Sequence, residues 1–359
     1  MTDIKKEKAW IAMSGGVDSA VAAYLTLSEG FSAEGVTMRL WSETESLTDT
    51  ADPTPDQNCL DAAAVCAAMG IPHRSVGLGE SFQKNVVDRF IDAYVRGLTP
   101  NPCVDCNRCL KFGRLLSLID EWGGGLLITG HYAIIEKNED GFYCLKKAKD
   151  SAKDQSYFLW GIAKEALPRI RFPLGEYTKP EIRAIALERG LPSASRSDSQ
   201  DICFVPDGDY VRFIEAHSDL SFPKGNFVSP DGRVLGEHQG LIRYTVGQRK
   251  GLGIALGAPA FVSRKDPLEN TVTLCSDAQL YTRELTASHI NILTENGRFP
   301  ARAEAKIRYR HTPAPATITH LDDERIRVVF DSPQRAIAPG QSVVLYDGDT
   351  VLGGGVIEG

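Results

Sequence analysis

The first third of the chain alternates between short apolar runs and longer amphipathic segments. Lys8 to Met13 predicts a buried strand, and Ser14 to Ser19 predicts a turn that contains two glycines. The alternation continues with predicted helices at 20–28, 60–69, 82–96 and 110–121, and predicted strands at 31–40, 71–76 and 126–129. Strands that alternate with helices of this length favour an α/β domain, a parallel sheet flanked by helices.

The pattern changes near residue 205, where strands shorten and glycine and proline become frequent. We therefore expect an N-terminal α/β domain over residues 1–205 and a small mixed central domain over residues 206–278. Short alternating strands separated by turn signals predict a C-terminal β-barrel over residues 279–359. The polar segment 44–58 predicts a loop.

Composition narrows the class of protein. The chain has 359 residues, of which 42% are hydrophobic and 24% charged, and it has no apolar run long enough to cross a membrane. Its first residues lack the features of a signal peptide, so we expect a cytoplasmic protein with reduced thiols. The net charge of −7 argues against non-specific coating of nucleic acid, but it permits a local basic patch.

The turn Ser14 to Ser19, "SGGVDS", has the features of a phosphate-binding loop. Gly15 and Gly16 let the backbone approach an anion, and the following helix N-terminus favours phosphate. Ser14 and Ser19 offer hydroxyl donors, and Asp18 is a candidate ligand for Mg²⁺. The loop lacks the lysine of GxxxxGK[ST] and matches the SGGxDS loop of ATP pyrophosphatases, which split ATP between the α and β phosphates. The alternative is a plain glycine turn before a helix.

Several motifs together resemble the tRNA-specific 2-thiouridylase family of the ATP pyrophosphatase superfamily. They occur in family order over nearly the whole chain: MSGGVDS (13–19), TPNPCVDCNRCLKF (99–112), TGHYA (129–133), KDQSYFLW (153–160), GLPSASRSDSQDICF (190–204), YTVGQRKGLGI (244–254) and PGQSVVLY (339–346). The combination is much more specific than the SGGxDS loop alone.

The resemblance implies a reaction and its partners. It implies ATP-dependent 2-thiolation of the wobble uridine, position 34, of a tRNA. ATP would adenylate the C2 oxygen, and a persulfide sulfur would then replace it, which releases AMP and pyrophosphate. The implied partners are a tRNA with a wobble uridine and a persulfide sulfur donor protein, and we expect a monomer that does not bind membranes. The implied cofactors are ATP and Mg²⁺.

The resemblance also assigns two catalytic cysteines. Cys106 occupies the family position in NPxxxCN, and Cys203 lies in SQDICF. Cys203 would carry the persulfide, and Cys106 would attack it or resolve it as a disulfide. Both roles require thiolate character and partial exposure. Because Cys106 precedes a predicted helix, we expect the helix dipole to lower its pKa.

Cys103 has an open role, because some family members carry aspartate at its position. One interpretation of Cys103 and Cys106 is a redox pair. Another is an iron–sulfur cluster on Cys103, Cys106 and Cys203, with an open iron position for sulfide. We favour the cluster-free mechanism. Cys109 lies about one helical turn beyond Cys106, and we expect it to pack.

The resemblance carries over two further sets of residues. The ATP-binding set is Ala12, Met13, Ser14, Gly15, Gly16, Val17, Asp18, Ser19, Met38 and Gly130. The set that contacts the target base or tRNA is Asn101, Pro102, Cys103, His131, Lys153, Asp154, Gln155, Arg308, Tyr309 and Gln341. Independently, the period-two pattern of residues 302–311 places Arg302, Lys306, Arg308 and Arg310 on one predicted strand face, with Glu304 among them. This face is a candidate phosphate-tracking surface, and the alternative is an ordinary charged barrel exterior.

Two other functions fit part of the pattern. One is another SGGxDS enzyme that acts on tRNA, such as a lysidine-forming synthetase, but it does not explain Cys106 together with Cys203. The other is an RNA-binding or sulfur-carrier module without catalysis, which the intact phosphate loop disfavours.

Overall fold

The computed structural model describes residues 7–42, 48–51, 53–194, 202–205 and 207–359. They form two compact units. The first unit contains the described parts of 1–86, 103–204 and 349–351, and the second contains those of 87–102, 205–348 and 352–359. No helix in these described ranges is long and apolar enough to span a membrane.

The strands and helices have the following bounds. The strands are β1 (Lys8–Ala12), β2 (Ser32–Arg39), β3 (Asp49–Thr50), β4 (His73–Leu78), β5 (Leu126–Ile128), β6 (Ile134–Lys137), β7 (Tyr143–Lys146), β8 (Ile170–Arg171), β9 (Gly225–Val228), β10 (Val234–His238), β11 (Phe261–Asp266), β12 (Thr271–Cys275), β13 (Tyr281–Ile292), β14 (Arg302–Lys306), β15 (Ala314–His320), β16 (Ile326–Arg335), β17 (Ser342–Asp347) and β18 (Thr350–Ile357). The α-helices are α1 (Val17–Ser28), α2 (Gln57–Ala68), α3 (Gly79–Phe82), α4 (Asp88–Val95), α5 (Pro102–Asp105), α6 (Leu115–Glu121), α7 (Lys179–Glu188) and α8 (Tyr210–Ala216). The π-helical segments Gln83–Val87 and Cys106–Arg114 join α3 to α4 and α5 to α6, and short 3₁₀ turns lie at Ser156–Phe158, Lys164–Arg169, Leu241–Arg243 and Asp277–Leu280.

The first unit is built on a six-stranded sheet in the order β3-β4-β2-β1-β5-β8. All neighbouring strands are parallel except β3 and β4. β1 lies between β2 and β5, which explains why its centre is continuously apolar: Ala9, Trp10 and Ile11 are fully buried. The alanine-rich face of α1 packs on this sheet in the main core of the unit.

The second unit contains a four-stranded sheet in the order β10-β9-β12-β11 and a closed antiparallel barrel. The barrel strands follow the order β13-β16-β15-β14-β17-β18, and β13 also pairs with β18. Alternate residues of these strands face a core that contains Ala305, Ile307 and Phe330. The predicted fold class, an α/β domain followed by a small mixed domain and a β-barrel, is confirmed. The domain boundaries at 205 and 278 stay predictions.

Three local predictions need correction. The predicted loop 44–58 ends earlier, because α2 begins at Gln57. The Asp56 carboxylate caps this helix and accepts a hydrogen bond from Cys59 N at 2.8 Å. Residues 43–47 and 52 lie outside the described residues. The helix predicted to begin at residue 110 begins at Pro102, which suits a first helical turn. The predicted basic strand face ends at Lys306, because residues beyond Ile307 turn towards β15. Arg308 and Arg310 therefore do not share a strand face with Arg302.

The barrel core provides a test of the fold. Phe330 is 1% exposed in the barrel core. Because its removal leaves a cavity, we expect Phe330→Ala to lower the free energy of unfolding by about 3–5 kcal/mol. Urea titration followed by circular dichroism measures this loss. Leu321 is 48% exposed, so Leu321→Ala is the control and should change little. Equal shifts for the two variants would contradict this description of the core.

Candidate active site

The phosphate loop follows β1 and leads into α1 in the first unit. Gly15 has φ of 73°, a conformation that favours glycine, and Gly16 is the extended N-cap of α1 without a side-chain cap. The N-terminus of α1 therefore lacks a side-chain cap and can receive an anion. The Ser19 hydroxyl accepts from Ser14 N at 3.2 Å and donates to Gly16 O at 3.1 Å. That serine thus fixes the shape of the loop.

The residues predicted to bind ATP lie at the carboxyl ends of three parallel strands. Ala12 ends β1, Met38 is the penultimate residue of β2, and Gly130 follows β5 by two residues. This edge is where open α/β sheets bind their ligands. Met13 is buried, and its N–H donates to Val36 O at 2.8 Å, which anchors the loop to β2.

Gly130 approaches the start of α1 closely. A Cβ at this position would lie 2.9 Å from the carbonyl carbon of Asp18 and 3.0 Å from Ser19 N. Both are backbone atoms, so they cannot move aside as a flexible side chain would. Only glycine at this position therefore allows the chain after β5 to pack directly against the backbone of the phosphate loop.

Asp18 is the centre of a charged network. Lys179 Nζ donates to both Asp18 oxygens, at 2.8 and 2.9 Å, and the Tyr132 hydroxyl donates to Asp18 Oδ1 at 2.8 Å. Lys179 is buried at the first position of α7. As placed, the Asp18 carboxylate does not fit the expected role of a free Mg²⁺ ligand. The described residues also include no group of three His, Cys, Asp or Glu that could hold a metal ion.

His131 belongs to a cluster of three rings. Its centroid lies 5.7 Å from that of Phe112 and 5.6 Å from that of Phe172, and the two phenylalanine rings are 5.8 Å apart. Lys111 Nζ lies 3.4 Å from Nε2 and can only donate, so Nδ1 carries the proton and donates to Thr129 Oγ1 at 2.6 Å. Burial lowers the pKa of His131 well below its usual value, and Lys111 lowers it further. His131 is therefore a neutral, oriented imidazole.

The KDQ motif is connected to the same region. Asp154 is 5% exposed, and its carboxylate accepts from Ala148 N, Ser156 N and Ser156 Oγ. Gln155 bonds the backbone of Tyr132 in both directions, at 2.9 and 2.8 Å. Asp154 and Gln155 thus shape the loop beside Lys153. Contact of the three residues with RNA stays a prediction.

The structure brings the two predicted catalytic cysteines into one electrostatic environment. Cys106 lies in the second turn of the helix that begins at Pro102, and Cys203 lies far along the chain. A charge on Cys203 or Cys103 would raise the pKa of Cys106, so the three thiols lie within electrostatic reach of one another. All three are free thiols; Cys103 and Cys203 are exposed, whereas Cys106 is buried. Cys109 is only half-buried.

The expected lowering of the Cys106 pKa is wrong. Cys106 is inside the helix and not before it, so its thiol is 8% exposed and gains little from the N-terminal dipole. Burial raises the pKa of Cys106 to about 12, and the nearby Lys111 only partly opposes this. Although Cys203 and Cys103 are exposed as residues, partial desolvation of their sulfur atoms also raises their pKa values, with Lys111 again opposing.

The iron–sulfur interpretation finds no prepared ligand set. Cys103, Cys106 and Cys203 all fall within the described residues, yet no three of the cysteines, histidines and carboxylates found there are arranged to hold a metal ion. We therefore derive no step through a cluster.

Two lysines that contact candidate site residues were missed by sequence reasoning: Lys111 lies beside His131, and Lys179 pairs with Asp18. Lys111 lies five residues after Cys106, which suits the wider turn of a π-helical segment and not α-helical spacing. Lys179 opens a helix, where the dipole disfavours a positive charge, and that conflict was a usable signal.

The remaining predicted residues lie in the second unit. Pro102 begins α5 directly after Asn101, and Gln341 Nε2 donates to Thr99 O at 2.8 Å. Arg308 donates to Arg335 O at 2.9 Å and lines an open cavity of about 530 Å³ with Arg310 and His311. Tyr309 is half-buried, with Lys306 Nζ 5.6 Å from its ring centroid.

Together, the parallel sheet, the SGGxDS loop at its carboxyl edge and the convergent thiols define a nucleotide-binding enzyme domain of the ATP pyrophosphatase class. Three family profiles match the chain in succession. They are described as a tRNA methyl transferase HUP domain over residues 7–207, a tRNA methyl transferase PRC-barrel domain over 212–276 and an aminomethyltransferase beta-barrel domain over 282–357.

Full-length relatives are named tRNA-specific 2-thiouridylase MnmA. The protein from Acetivibrio thermocellus is 45% identical over 99% of this chain and 100% of its own length. Those from Clostridioides difficile and Clostridium kluyveri are each 44% identical, over 98% of this chain and 98% and 99% of their own lengths. The chain belongs to the tRNA-specific 2-thiouridylase family.

The close approach of Gly130 to the phosphate loop generates a binding test. A methyl group at this position would displace the backbone of Asp18 and Ser19, so we expect Gly130→Ala to weaken ATP binding about tenfold or more. Isothermal titration calorimetry measures the affinity. Gly161→Ala is the matched control, because its Cβ would meet only side chains at 3.5 Å and beyond. Unchanged affinity in Gly130→Ala would show that the loop does not bind the nucleotide.

The raised pKa of Cys106 predicts its reactivity. Below a pKa of about 12 most of the thiol is protonated, so its alkylation rate should rise about tenfold per pH unit from pH 7 to 10 without a plateau. Iodoacetamide labelling followed by peptide mass spectrometry measures the rate. In urea the same thiol should level off above about pH 9, because its unfolded pKa is about 8.5. A plateau near pH 7 in the folded protein would mean that Cys106 is a stabilised thiolate.

Proposed function

We propose that the protein is an ATP-dependent tRNA-uridine 2-sulfurtransferase that thiolates the wobble uridine, position 34. The observation that carries the proposal is the convergence of Cys106 and Cys203 around Lys111, in the unit that also holds the phosphate loop. ATP activation and sulfur chemistry are thereby combined in one unit. Another SGGxDS synthetase would have no need for the two thiols.

Activation of uridine is the first step. The uridine C2 oxygen attacks the α-phosphorus of ATP, the bond from that phosphorus to the β-phosphate oxygen breaks, and pyrophosphate leaves. The N-terminus of α1 stabilises negative charge on the phosphates. Because Asp18 is engaged by Lys179 and Tyr132, no part of this step is assigned to a metal ion.

Sulfur transfer is the second step. A donor protein that carries a persulfide supplies a sulfane sulfur to Cys203. The Cys106 thiolate attacks the Cys203 sulfur, a Cys106–Cys203 disulfide forms, and hydrosulfide leaves with the bonding electron pair. Hydrosulfide adds to the activated C2, and AMP leaves. The two thiols supply the two electrons that reduce the sulfane sulfur, and a cellular dithiol must reduce the disulfide before the next turnover.

The exposure and protonation of Cys106 and Cys203 affect the sulfur-transfer step. Exposure of Cys203 allows a donor protein to reach it, whereas burial holds Cys106 as a thiol until it reacts. The positive charge of Lys111 favours the thiolate of Cys106. A buried nucleophile that is protonated at rest is protected from oxidation between turnovers.

RNA recognition is assigned to residues of both units. His131 and Lys153 are candidates in the first unit, and Asn101, Arg308 and Tyr309 in the second. The arginine-lined cavity beside His311 offers cations to a phosphate backbone. Because the whole chain has a net negative charge, attraction of the RNA backbone depends on such local groups of cations.

Turnover with unmodified tRNA tests the proposal. The purified protein, ATP, Mg²⁺, a persulfide donor and a tRNA with a wobble uridine should yield 2-thiouridine and AMP, measured by nucleoside mass spectrometry. Cys106→Ala and Cys203→Ala should each lower thiolation about a thousandfold or more, because each removes a reacting atom. Cys103→Ala shows whether the third thiol takes part.

Cys144→Ala is the control, since this half-buried thiol lies on β7 and not on the helix that carries Cys106. AMP formation without 2-thiouridine would point to another tRNA-modifying synthetase. Full activity of both cysteine variants would refute the sulfur-transfer step.

A further inference from the structure

The segment from Leu98 to Pro102 connects α4 to the helix that carries Cys103 and Cys106. It lies in the second unit and includes Asn101 and Pro102, which are predicted to contact the target base. Gly97, with φ of 73°, ends α4 and redirects the chain into this segment. Since the four residues 98–101 are irregular backbone with few internal hydrogen bonds, their position depends on the contacts that they make with other segments.

The turn Pro339–Gln341 holds the middle of this segment. Thr99 N donates to Pro339 O at 2.8 Å, and Gln341 Nε2 donates to Thr99 O at 2.8 Å. Gly340 has φ of 87°, and a Cβ there would lie 2.8 Å from Thr99 N. The turn and the segment are thus in direct backbone contact. The Gln341 amide nitrogen, assigned to tRNA contact by resemblance, is engaged in this contact.

Lys265 holds the start of the segment. It lies on β11, is 8% exposed, and donates from Nζ to Leu98 O at 3.3 Å. Its Nζ also lies 5.7 Å from the centroid of the Tyr94 ring, and no carboxylate of the described residues forms an ion pair with it. Burial lowers the pKa of Lys265 to about 8.

A buried ammonium without a carboxylate partner is costly to the fold. An apolar side chain of similar length could fill the same space without that cost. The feature that an apolar residue could not supply is the hydrogen bond to Leu98 O. A residue that lowers stability but aims a donor at one carbonyl is typical of a functional constraint.

We propose that Lys265 is a positioning residue for thiolation: together with Gln341 it fixes the segment Leu98–Pro102, and through it the target-base residues Asn101 and Pro102. This inference rests on the proposed function. Lys265 contacts neither substrate nor thiol, so its effect is on where the segment lies. Misplacement of a substrate-contacting group by about 1 Å is enough to slow a reaction by about a hundredfold.

Steady-state thiolation by the full-length chain separates positioning from binding. Lys265→Met keeps the length of the side chain and removes the donor, and we expect kcat to fall about tenfold or more. The KM for ATP should not change, because the phosphate loop belongs to the first unit. Lys265→Arg restores a donor and should recover part of kcat. Arg264→Met is the matched control, as Arg264 is the exposed neighbour on the same strand.

Hydrogen exchange gives a readout that does not depend on activity. In Lys265→Met the Thr99 amide should exchange about tenfold faster, while amides of the β1 core keep their protection. The same should hold for Gln341→Leu. If both residues hold one segment, the double variant should lose less kcat than the product of the two single fold-losses, because either substitution already releases the segment.

The outcomes distinguish this inference from the proposed function. Wild-type protein that makes no 2-thiouridine would refute the function, and the exchange of Thr99 would still test the anchor. Active wild type with an unchanged kcat or an unchanged Thr99 exchange rate in Lys265→Met would overturn the inference. So would a general loss of protection with no recovery in Lys265→Arg, since that pattern indicates a purely structural lysine.

Discussion

The ion pair between Lys179 and Asp18 is the interaction on which the nucleotide site depends. It joins the first turn of α7 to the first turn of α1, and the Tyr132 hydroxyl adds the chain that follows β5. Gln155 in turn bonds the backbone of Tyr132, which connects the KDQ loop to the same carboxylate. A single half-exposed carboxylate therefore fixes three loops that the sequence separates widely. The pair also satisfies both charges, which keeps Lys179 tolerable in its buried position.

At the thiol site, by contrast, the effect of desolvation on the Cys106 pKa is larger than the effect of the nearby positive charge. Lys111 lies near Cys106 and His131 and favours the thiolate and the neutral imidazole, respectively. Burial nevertheless raises the Cys106 pKa, because one cation cannot replace the water removed from a side chain inside a helix. Under the proposed function, reactivity is therefore divided between Cys203, an exposed thiol that a donor can load with sulfur, and Cys106, a buried thiol that is deprotonated only during the reaction.

The sequence was sufficient to predict those features that depend on a local pattern of residues. Ala9 to Ile11 is apolar because β1 is covered on both faces, and the SGGxDS loop is defined by its own residues. Sequence reasoning failed where a contact joins distant segments. Lys111, Lys179 and Lys265 each contact a group that the fold brings near, and no sequence pattern singled them out. The expected pKa of Cys106 was wrong for a related reason: the helix begins at Pro102, one turn before the thiol.

The chain passes between the two units close to both predicted catalytic cysteines. The chain leaves the first unit near Val87, returns at Cys103 and leaves again after Phe204. Cys106 lies three residues after the start of the returning segment, and Cys203 lies one residue before its end. Under the proposed function the chemistry resides in the first unit, whereas Asn101 and Pro102 belong to the second. The position of these two residues depends on the hydrogen bonds that Lys265 and Gln341 make within their own unit. We infer that the reaction requires this placement as well as reactive thiols.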